Sequence, residues 1–142
     1  MSQENVDAVR ASLDGWNRGD VDALVEHAHP DIEWYSEIAQ RVEGSETVYR
    51  GLDGMRRYWD EWHALWDVTI DVTEIRDLGD SVLALARVRA RGEVSGVDLE
   101  SPIAYVYDFE EGMARKVRSY FNPQEAIEAV ASQESRRGDS NP

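Results

Sequence analysis

The sequence predicts an α+β fold in which helices pack on one face of an antiparallel sheet. Apolar residues at helical spacing dominate the first part of the chain, and β-rich segments joined by turn residues dominate the rest. At 142 residues the chain has the length of one domain and can bury its own core. We therefore predict a single domain over residues 1–131, followed by a polar, flexible tail over residues 132–142.

Two helices and a strand open the chain. Ser2 can cap the first helix, and Gly19 and Asp20 end it and begin a second one, which Pro30 stops. The buried face of the first helix is predicted from helical spacing to be Val6, Val9, Leu13 and Trp16. Residues 31–38 then alternate in polarity, which predicts a strand. Its buried side is expected to be Ile32, Trp34, Ser36 and Ile38.

A third helix and four further strands complete the pattern. After a polar loop over residues 39–50, the helix is expected from about Leu52 because aromatic and apolar residues recur at helical spacing. These are Leu52, Met55, Trp59, Trp62, His63 and Trp66. Strands are predicted at 68–77, 81–91, 97–109 and 114–121, separated by turn residues. A short helix after Pro123 closes the domain.

The strand over residues 81–91 has an apolar face that a second protein surface is expected to cover. Its small apolar residues fall on one side: Val82, Ala84, Ala86, Val88 and Ala90. Ala104 and Val106 are expected to extend this face onto the next strand. An antiparallel strand that is half exposed normally keeps one face polar. We therefore expect a second copy of the same sheet to cover the apolar face, which predicts a homodimer.

Composition excludes several classes of partner. The chain has 29 acidic and 15 basic residues, for a formal net charge of −14, so neither nucleic acid nor an anionic membrane surface is expected to bind it. There is no cysteine, which excludes a thiolate metal site and a cysteine nucleophile. No apolar run approaches the ~18 residues that span a bilayer, and no targeting segment precedes the domain, so a cytoplasmic protein is expected.

Neither a metal nor a cofactor is expected. His27 and His29 are two residues apart and point to different faces, and only one other histidine is present. A catalytic zinc site needs about three converging protein ligands. The glycines stand singly at turns rather than in a phosphate-binding loop.

Several short motifs occur in a characteristic order along the chain. They are Trp16-Asn17-Arg18-Gly19-Asp20, His29-Pro30-Asp31, Tyr49-Arg50-Gly51-Leu52-Asp53-Gly54 and Ser119-Tyr120-Phe121-Asn122-Pro123. Their order and spacing over residues 4–130 resemble SnoaL-like proteins of the nuclear transport factor 2-like superfamily. The resemblance implies a cone, in which a strongly curved antiparallel sheet of the cystatin-like type wraps around the N-terminal helices and leaves a pocket open at one end. It also implies homodimers through the convex sheet face.

The residues of this chain do not match those that the two best-known mechanisms of this superfamily require. The carboxylate base of the ketosteroid isomerases aligns with Ser36, and their protonated acid aligns with Tyr105. Serine cannot replace a carboxylate as a base at neutral pH. The limonene epoxide hydrolases use one arginine and two aspartates; Arg87 matches the arginine, but Arg89 and Ser119 stand where the aspartates belong. Neither mechanism is therefore expected for this chain.

The residues that remain predict an aromatic pocket for a small apolar, carbonyl-bearing molecule. The candidate catalytic residues are His63 as base, Tyr105 as hydrogen-bond donor and Arg87 as the group that holds a carbonyl or enolate oxygen. The candidate ligand-binding residues are Trp16, Trp34, Ser36, Trp59, Arg89, Tyr107, Ser119 and Phe121. Proton transfer of the isomerase or cyclase type would use the catalytic set.

Structural alternatives stay open for each of these groups. The aromatic residues can simply fill the cone as core, and His63 can bond a neighbouring carboxylate. Arg87 and Arg89 can pair across strands with Glu93, Asp98 or Glu100. Under these alternatives the chain is a non-catalytic ligand-binding or dimerisation module.

Overall fold

The computed structural model describes residues 2–36, 48–92 and 96–139. The predicted α+β class is confirmed, and the predicted helices and strands occur in the predicted order. An additional strand over Val48–Arg50 lies where the polar loop was expected, and the first strand already begins at Ala28, so Pro30 lies in a strand and does not stop a helix. The elements are α1 (Ser2–Arg18), α2 (Val21–Glu26), β1 (Ala28–Tyr35), β2 (Val48–Arg50), α3 (Gly51–Leu65), β3 (Trp66–Asp77), β4 (Ser81–Gly92), β5 (Asp98–Glu110), β6 (Met113–Tyr120) and α4 (Pro123–Asp139). The predictions for Ile38, for most of the 39–50 loop and for Glu93 fall outside the described residues.

Local sequence explains how the first helices end and begin. Gly19 adopts a φ of 74°, a left-handed conformation that glycine takes at little steric cost, and α1 ends just before it. The Asp20 side chain then accepts a hydrogen bond from the backbone N–H of Ala23 at 3.3 Å, as the predicted cap of α2 requires.

The six strands form one curved, unclosed sheet in the order β2-β1-β6-β5-β4-β3. The strands from β3 to β6 are joined as antiparallel neighbours, as predicted. β1 differs, because it runs parallel to β6, with Trp34 opposite Val117. A helix rather than a hairpin turn leads into β1, so no turn ties its direction to that of its neighbour.

The inner face of the sheet packs against α1 and α3 and carries the small residues of β4. Ala84 lies opposite Tyr105 across the β4–β5 pair, and Val82 lies opposite Tyr107. Directly opposed residues share one face of a sheet, so the small side chains of β4 leave room for large aromatic ones beside them. Ala86 is only 4% exposed in this core.

The predicted dimer face is therefore wrong. Ala86 faces the helices of its own chain rather than a second copy. Ala104 and Val106 do not extend this face, because they lie opposite Leu85 and Leu83 on the other side of the sheet. The homodimer itself stays a prediction.

The outer face of the sheet is partly covered by the chain's own C-terminal helix. Ala126 and Val130 of α4 form a buried cluster with Leu83, Ala104 and Val106. α4 continues to Asp139, which makes it longer than the short helix that the sequence suggested.

Candidate functional site

Aromatic side chains from four elements fill the space between the sheet and the helices. Trp16 of α1 lies with its ring centroid 5.0 Å from that of Trp59 and 5.8 Å from that of Tyr58, both on α3. Trp34 of β1 lies 5.4 Å from Tyr58 and 6.1 Å from Tyr105 of β5. All five side chains are more than nine-tenths buried. Tilted and edge-on contacts of this kind stabilise a core by about 0.5–1.5 kcal/mol per pair beyond burial alone.

The cluster encloses a void of about 30 Å³, which we call the aromatic cavity. Five aromatic side chains line it together with aliphatic ones: Trp16, Trp34, Tyr58, Trp62 and Tyr105. A water molecule needs roughly 10–15 Å³ on this measure, whereas pockets for small-molecule ligands run to roughly 300–1,000 Å³. In this conformation the aromatic side chains therefore fill most of the cone, and a molecule much larger than water could enter only by displacing some of them.

Three indoles that line the aromatic cavity bury their polar atom without a protein partner. The Nε1 atoms of Trp16, Trp34 and Trp62 have no hydrogen-bond acceptor among the described residues. The Trp34 N–H lies near enough to the Tyr58 hydroxyl to influence its pKa, but not in hydrogen-bond geometry. A buried donor that lacks an acceptor destabilises a fold by about 1–3 kcal/mol, so this arrangement needs an explanation.

The tyrosines of the cluster are held in their protonated form. Burial raises the pKa of Tyr58, and the nearby Ser36 and Trp34 side chains only partly oppose this; Ser36 Oγ lies 3.4 Å from the Tyr58 hydroxyl. Burial, with a further contribution from Tyr58 and Tyr107, raises the pKa of Tyr105 well above its usual value. Burial also raises the pKa of Tyr107. At neutral pH these hydroxyls can donate hydrogen bonds but cannot act as bases.

These raised pKa values predict that the chain loses stability in alkali. The folded state keeps the tyrosine protons to a higher pH than the unfolded state does, so stability is fully present below about pH 10 and falls as the pH rises further. Urea unfolding at about pH 8 and about pH 11 should show a lower free energy of unfolding at the higher value. Tyr105→Phe should reduce the difference between the two, and an equal free energy of unfolding at both pH values would contradict the placement of these hydroxyls.

His63 lies beside the aromatic cavity but does not line it. Its ring stacks on Trp59 with centroids 3.9 Å apart and lies 4.6 Å from Trp16, which borders the cavity. Nδ1 lies 3.0 Å from the Trp59 carbonyl oxygen. A carbonyl only accepts, so Nδ1 carries the hydrogen and Nε2 is the nitrogen with a free lone pair when the ring is neutral. The partner of His63 is thus a backbone carbonyl rather than the carboxylate that the structural alternative suggested.

Arg87 and Arg89 lie on the outer face, and the expectation that they share a face with Tyr105 is wrong. Arg87 pairs with Glu100 at 3.0 Å and Arg89 with Asp71 at 2.7 Å, with about half of each arginine side chain exposed. The reason is the register: Ala84 is the residue opposite Tyr105, so the odd-numbered residues of β4 project away from α1 and α3. The structure does not bring Arg87 together with His63 and Tyr105.

The other predicted ligand-binding residues divide into two groups. Trp16 and Trp34 line the aromatic cavity, and Tyr107 lines a smaller void of about 10 Å³ next to it. The remaining ones lie outside both voids. Ser36 contacts Tyr58, Trp59 packs between Trp16 and His63, the Ser119 hydroxyl donates to the Tyr35 carbonyl at 3.5 Å, and Phe121 is half-buried just after β6.

Tyr58 and Trp62 are cavity residues that the sequence argument missed. The helical spacing predicts Trp62 on the apolar face of the third helix without a role in the site, and Tyr58 is not among the predicted residues. A signal was present, because Tyr58 follows Met55 by three positions and precedes Trp62 by four, which puts all three on one helix face.

Two further kinds of feature are absent from the part of the chain that the structure describes. The described residues contain no group of three or more histidine, aspartate or glutamate side chains arranged to hold a metal ion. None of the described helices is long and apolar enough to cross a membrane.

Comparisons with known proteins identify the family. The model of the SnoaL-like domain matches residues 9–117, whereas no curated protein matches the sequence. An NTF2-like protein of unknown function from Burkholderia pseudomallei superposes with a TM-score of 0.77 at 22% identity, covering 90% of this chain and 97% of the other. TerC, co-crystallized with polyporic acid, gives 0.75 at 18% identity with 88% and 96% covered.

A third solved structure extends the likeness. A candidate polyketide cyclase from Xanthomonas campestris gives a TM-score of 0.71 at 20% identity, covering 89% of this chain and 96% of the other. At these identities the structures share the fold with this chain. Because the SnoaL-like domain accounts for residues 9–117 of the 142, the chain belongs to the SnoaL-like family.

Proposed function

We propose that this protein binds a small, flat, apolar molecule bearing a carbonyl group inside the aromatic cone. The observation that carries the proposal is the aromatic cavity: five rings from α1, α3, β1 and β5 surround it. Cavities of mainly aromatic lining with a few polar atoms are the usual sites for such ligands. The protonated Tyr58 and Tyr105 hydroxyls suit a ligand oxygen that accepts hydrogen bonds.

Entry of a ligand requires the cavity to widen. At about 30 Å³ it is about tenfold smaller than the pockets that hold small molecules. Some of the lining rings have to rotate, and binding of the ligand shifts the protein towards the widened form. Two structural neighbours support a ligand of this type, since TerC was co-crystallized with polyporic acid and another is a candidate polyketide cyclase.

Calorimetric titration with 2-acetylnaphthalene tests the proposal. Val88 lines the aromatic cavity, so Val88→Ala should enlarge it and lower Kd by roughly tenfold, because an enlarged apolar cavity accepts a ligand with less displacement. Leu85→Ala is the matched control, because Leu85 packs on the outer-face cluster and its loss should leave Kd unchanged. Absence of binding to the wild-type chain and to Val88→Ala would contradict the proposal and favour the alternative of a module without a ligand.

Proton transfer is a second candidate, and the hydrogen bonding of His63 favours it. With Nδ1 bound to the Trp59 carbonyl, Nε2 is the acceptor nitrogen, and Trp16 is the ring between His63 and the aromatic cavity. Movement of Trp16 would open a path from this nitrogen to a ligand. The wild-type chain should then speed exchange of the methyl protons of 2-acetylnaphthalene in heavy water, and His63→Ala should abolish the acceleration. Equal exchange rates for both chains would remove His63 as base.

The homodimer also remains a proposal, and we propose that it forms through the outer face of the sheet, since the inner face is covered by the chain's own helices. That face carries the Arg87–Glu100 and Arg89–Asp71 pairs, and Leu99 at its edge is 55% exposed. A stripe that contains both signs of charge can complement a second copy of itself across a twofold axis. Sedimentation velocity of the full chain should find a species of twice the chain mass. A species of single mass at all concentrations would contradict this.

A further inference from the structure

Three tryptophans from three separate elements meet at the aromatic cavity with unpartnered donors. Trp16 on α1, Trp34 on β1 and Trp62 on α3 are 5%, 3% and 9% exposed. Each has an Nε1 atom that is buried and lacks an acceptor among the described residues. A buried tryptophan usually finds a partner for its N–H, so three exceptions around one void of about 30 Å³ indicate that this void is where an acceptor belongs.

The remaining lining residues determine which kind of ligand atom the cavity can bind. An indole N–H donates and never accepts. Among the described lining residues there is no aspartate, glutamate, lysine, arginine or histidine, and the polar atoms besides the indoles are the Tyr58 and Tyr105 hydroxyls. The cavity therefore offers uncharged donors and no positive charge. A neutral carbonyl oxygen matches this set, whereas a carboxylate would be buried without a counter-charge.

We infer that Trp16, Trp34 and Trp62 form an oxygen subsite that selects a ligand with a ketone or quinone carbonyl over the same skeleton without it. The inference rests on the proposed function, because it names the group that the cavity recognises. Trp34 is central to the subsite, since it lines both the aromatic cavity and the smaller void and contacts Tyr58, Tyr105 and Tyr107.

The test compares a ketone with its near-isosteric hydrocarbon. 2-Acetylnaphthalene carries a carbonyl group where 2-ethylnaphthalene carries a methylene group. The ratio of their calorimetric Kd values therefore measures the contribution of the carbonyl oxygen to binding. We expect the wild-type chain to bind the ketone at least about tenfold more tightly, the effect of roughly one good hydrogen bond. Trp62→Phe keeps an aromatic ring but removes the donor. It also enlarges the cavity, which should tighten binding of both compounds alike, so the ratio of the two Kd values is the readout and should move towards one.

Trp66→Phe is the control, because Trp66 is an indole that does not line the aromatic cavity and its loss should leave the ratio unchanged. Trp16→Phe is the second subsite variant if Trp62→Phe fails to fold, as judged by circular dichroism. Equal binding of both compounds to the wild-type chain, or an unchanged ratio in a folded subsite variant, would overturn the inference and leave the proposed function standing. If neither compound binds, the proposed function fails with it.

Discussion

Replacing Ala86 by glutamate is expected to unfold the chain or to lower its free energy of unfolding by about 3–5 kcal/mol, because the carboxylate would be buried without a partner. Ala86 is 4% exposed and packs in the core between the sheet and the helices. The loss is a large share of the about 5–15 kcal/mol that keeps a domain folded. Urea unfolding followed by circular dichroism measures it.

Arg87→Glu is the matched control on the next residue. The Arg87 side chain is half exposed and pairs with Glu100 on the outer face. An exposed ion pair contributes about 0–1 kcal/mol, so this variant should stay folded. If instead Ala86→Glu folded normally and only changed the sedimentation coefficient, the alanine face would be an external contact and the inner and outer faces of β4 would be reversed.

Replacing Asn17 by leucine should lower the free energy of unfolding by about 2–4 kcal/mol, because it leaves two partly buried backbone groups without partners. The Asn17 amide donates to the Ile70 carbonyl at 2.6 Å and accepts from the Ile70 N–H at 2.8 Å. Ile70 belongs to β3, the edge strand of the sheet, so this side chain completes the hydrogen bonding of an exposed strand edge. It also holds the end of α1, with Trp16, against the aromatic cavity.

Arg18→Ala serves as the control for Asn17, one residue along the same helix. Its partner Asp20 lies 3.9 Å away with both side chains about half exposed, so the variant should change stability by less than about 1 kcal/mol. A similar urea midpoint for Asn17→Leu and Arg18→Ala would show that the Ile70 contacts do not stabilise the fold.

Much of the fold could be predicted because the local patterns were unambiguous. Ile32, Trp34 and Ser36 alternate with polar residues, and all three are buried as predicted. Gly19 and Asp20 mark a helix end and a helix start through their conformational preferences. The motifs around these residues also led to the right family.

The inner and outer sides of β4 could not be predicted correctly because both carry apolar residues at its start. Leu83 and Leu85 suit a core as well as Val82 and Ala84 do. Arg87 and Arg89 on the odd-numbered side were predicted as pocket residues, although charged side chains are rarely buried and their position favoured the outer face. Side-chain volume decides the question, since the alanines face tyrosines that the chain brings from another strand.

The size of the site could not be predicted from the sequence either. The same tryptophans and tyrosines can line a pocket or fill it, depending on how their rings pack. Ring centroids 5–6 Å apart in the structure leave only the aromatic cavity between them. The tryptophans with unpartnered indole nitrogens also come from distant positions, and only the tertiary structure shows that they line one cavity.

The proton–nitrogen correlation spectrum of the indole groups tests the central claim most directly. Five tryptophans give five side-chain resonances, which single Trp→Phe variants can assign. On addition of 2-acetylnaphthalene, the resonances of Trp16, Trp34 and Trp62 should move downfield as their N–H groups gain an acceptor, and that of Trp66 should stay in place. If the resonances of these three tryptophans do not move at saturating ligand, a ligand site in the aromatic cone is contradicted. The same holds if only the resonance of Trp66 moves.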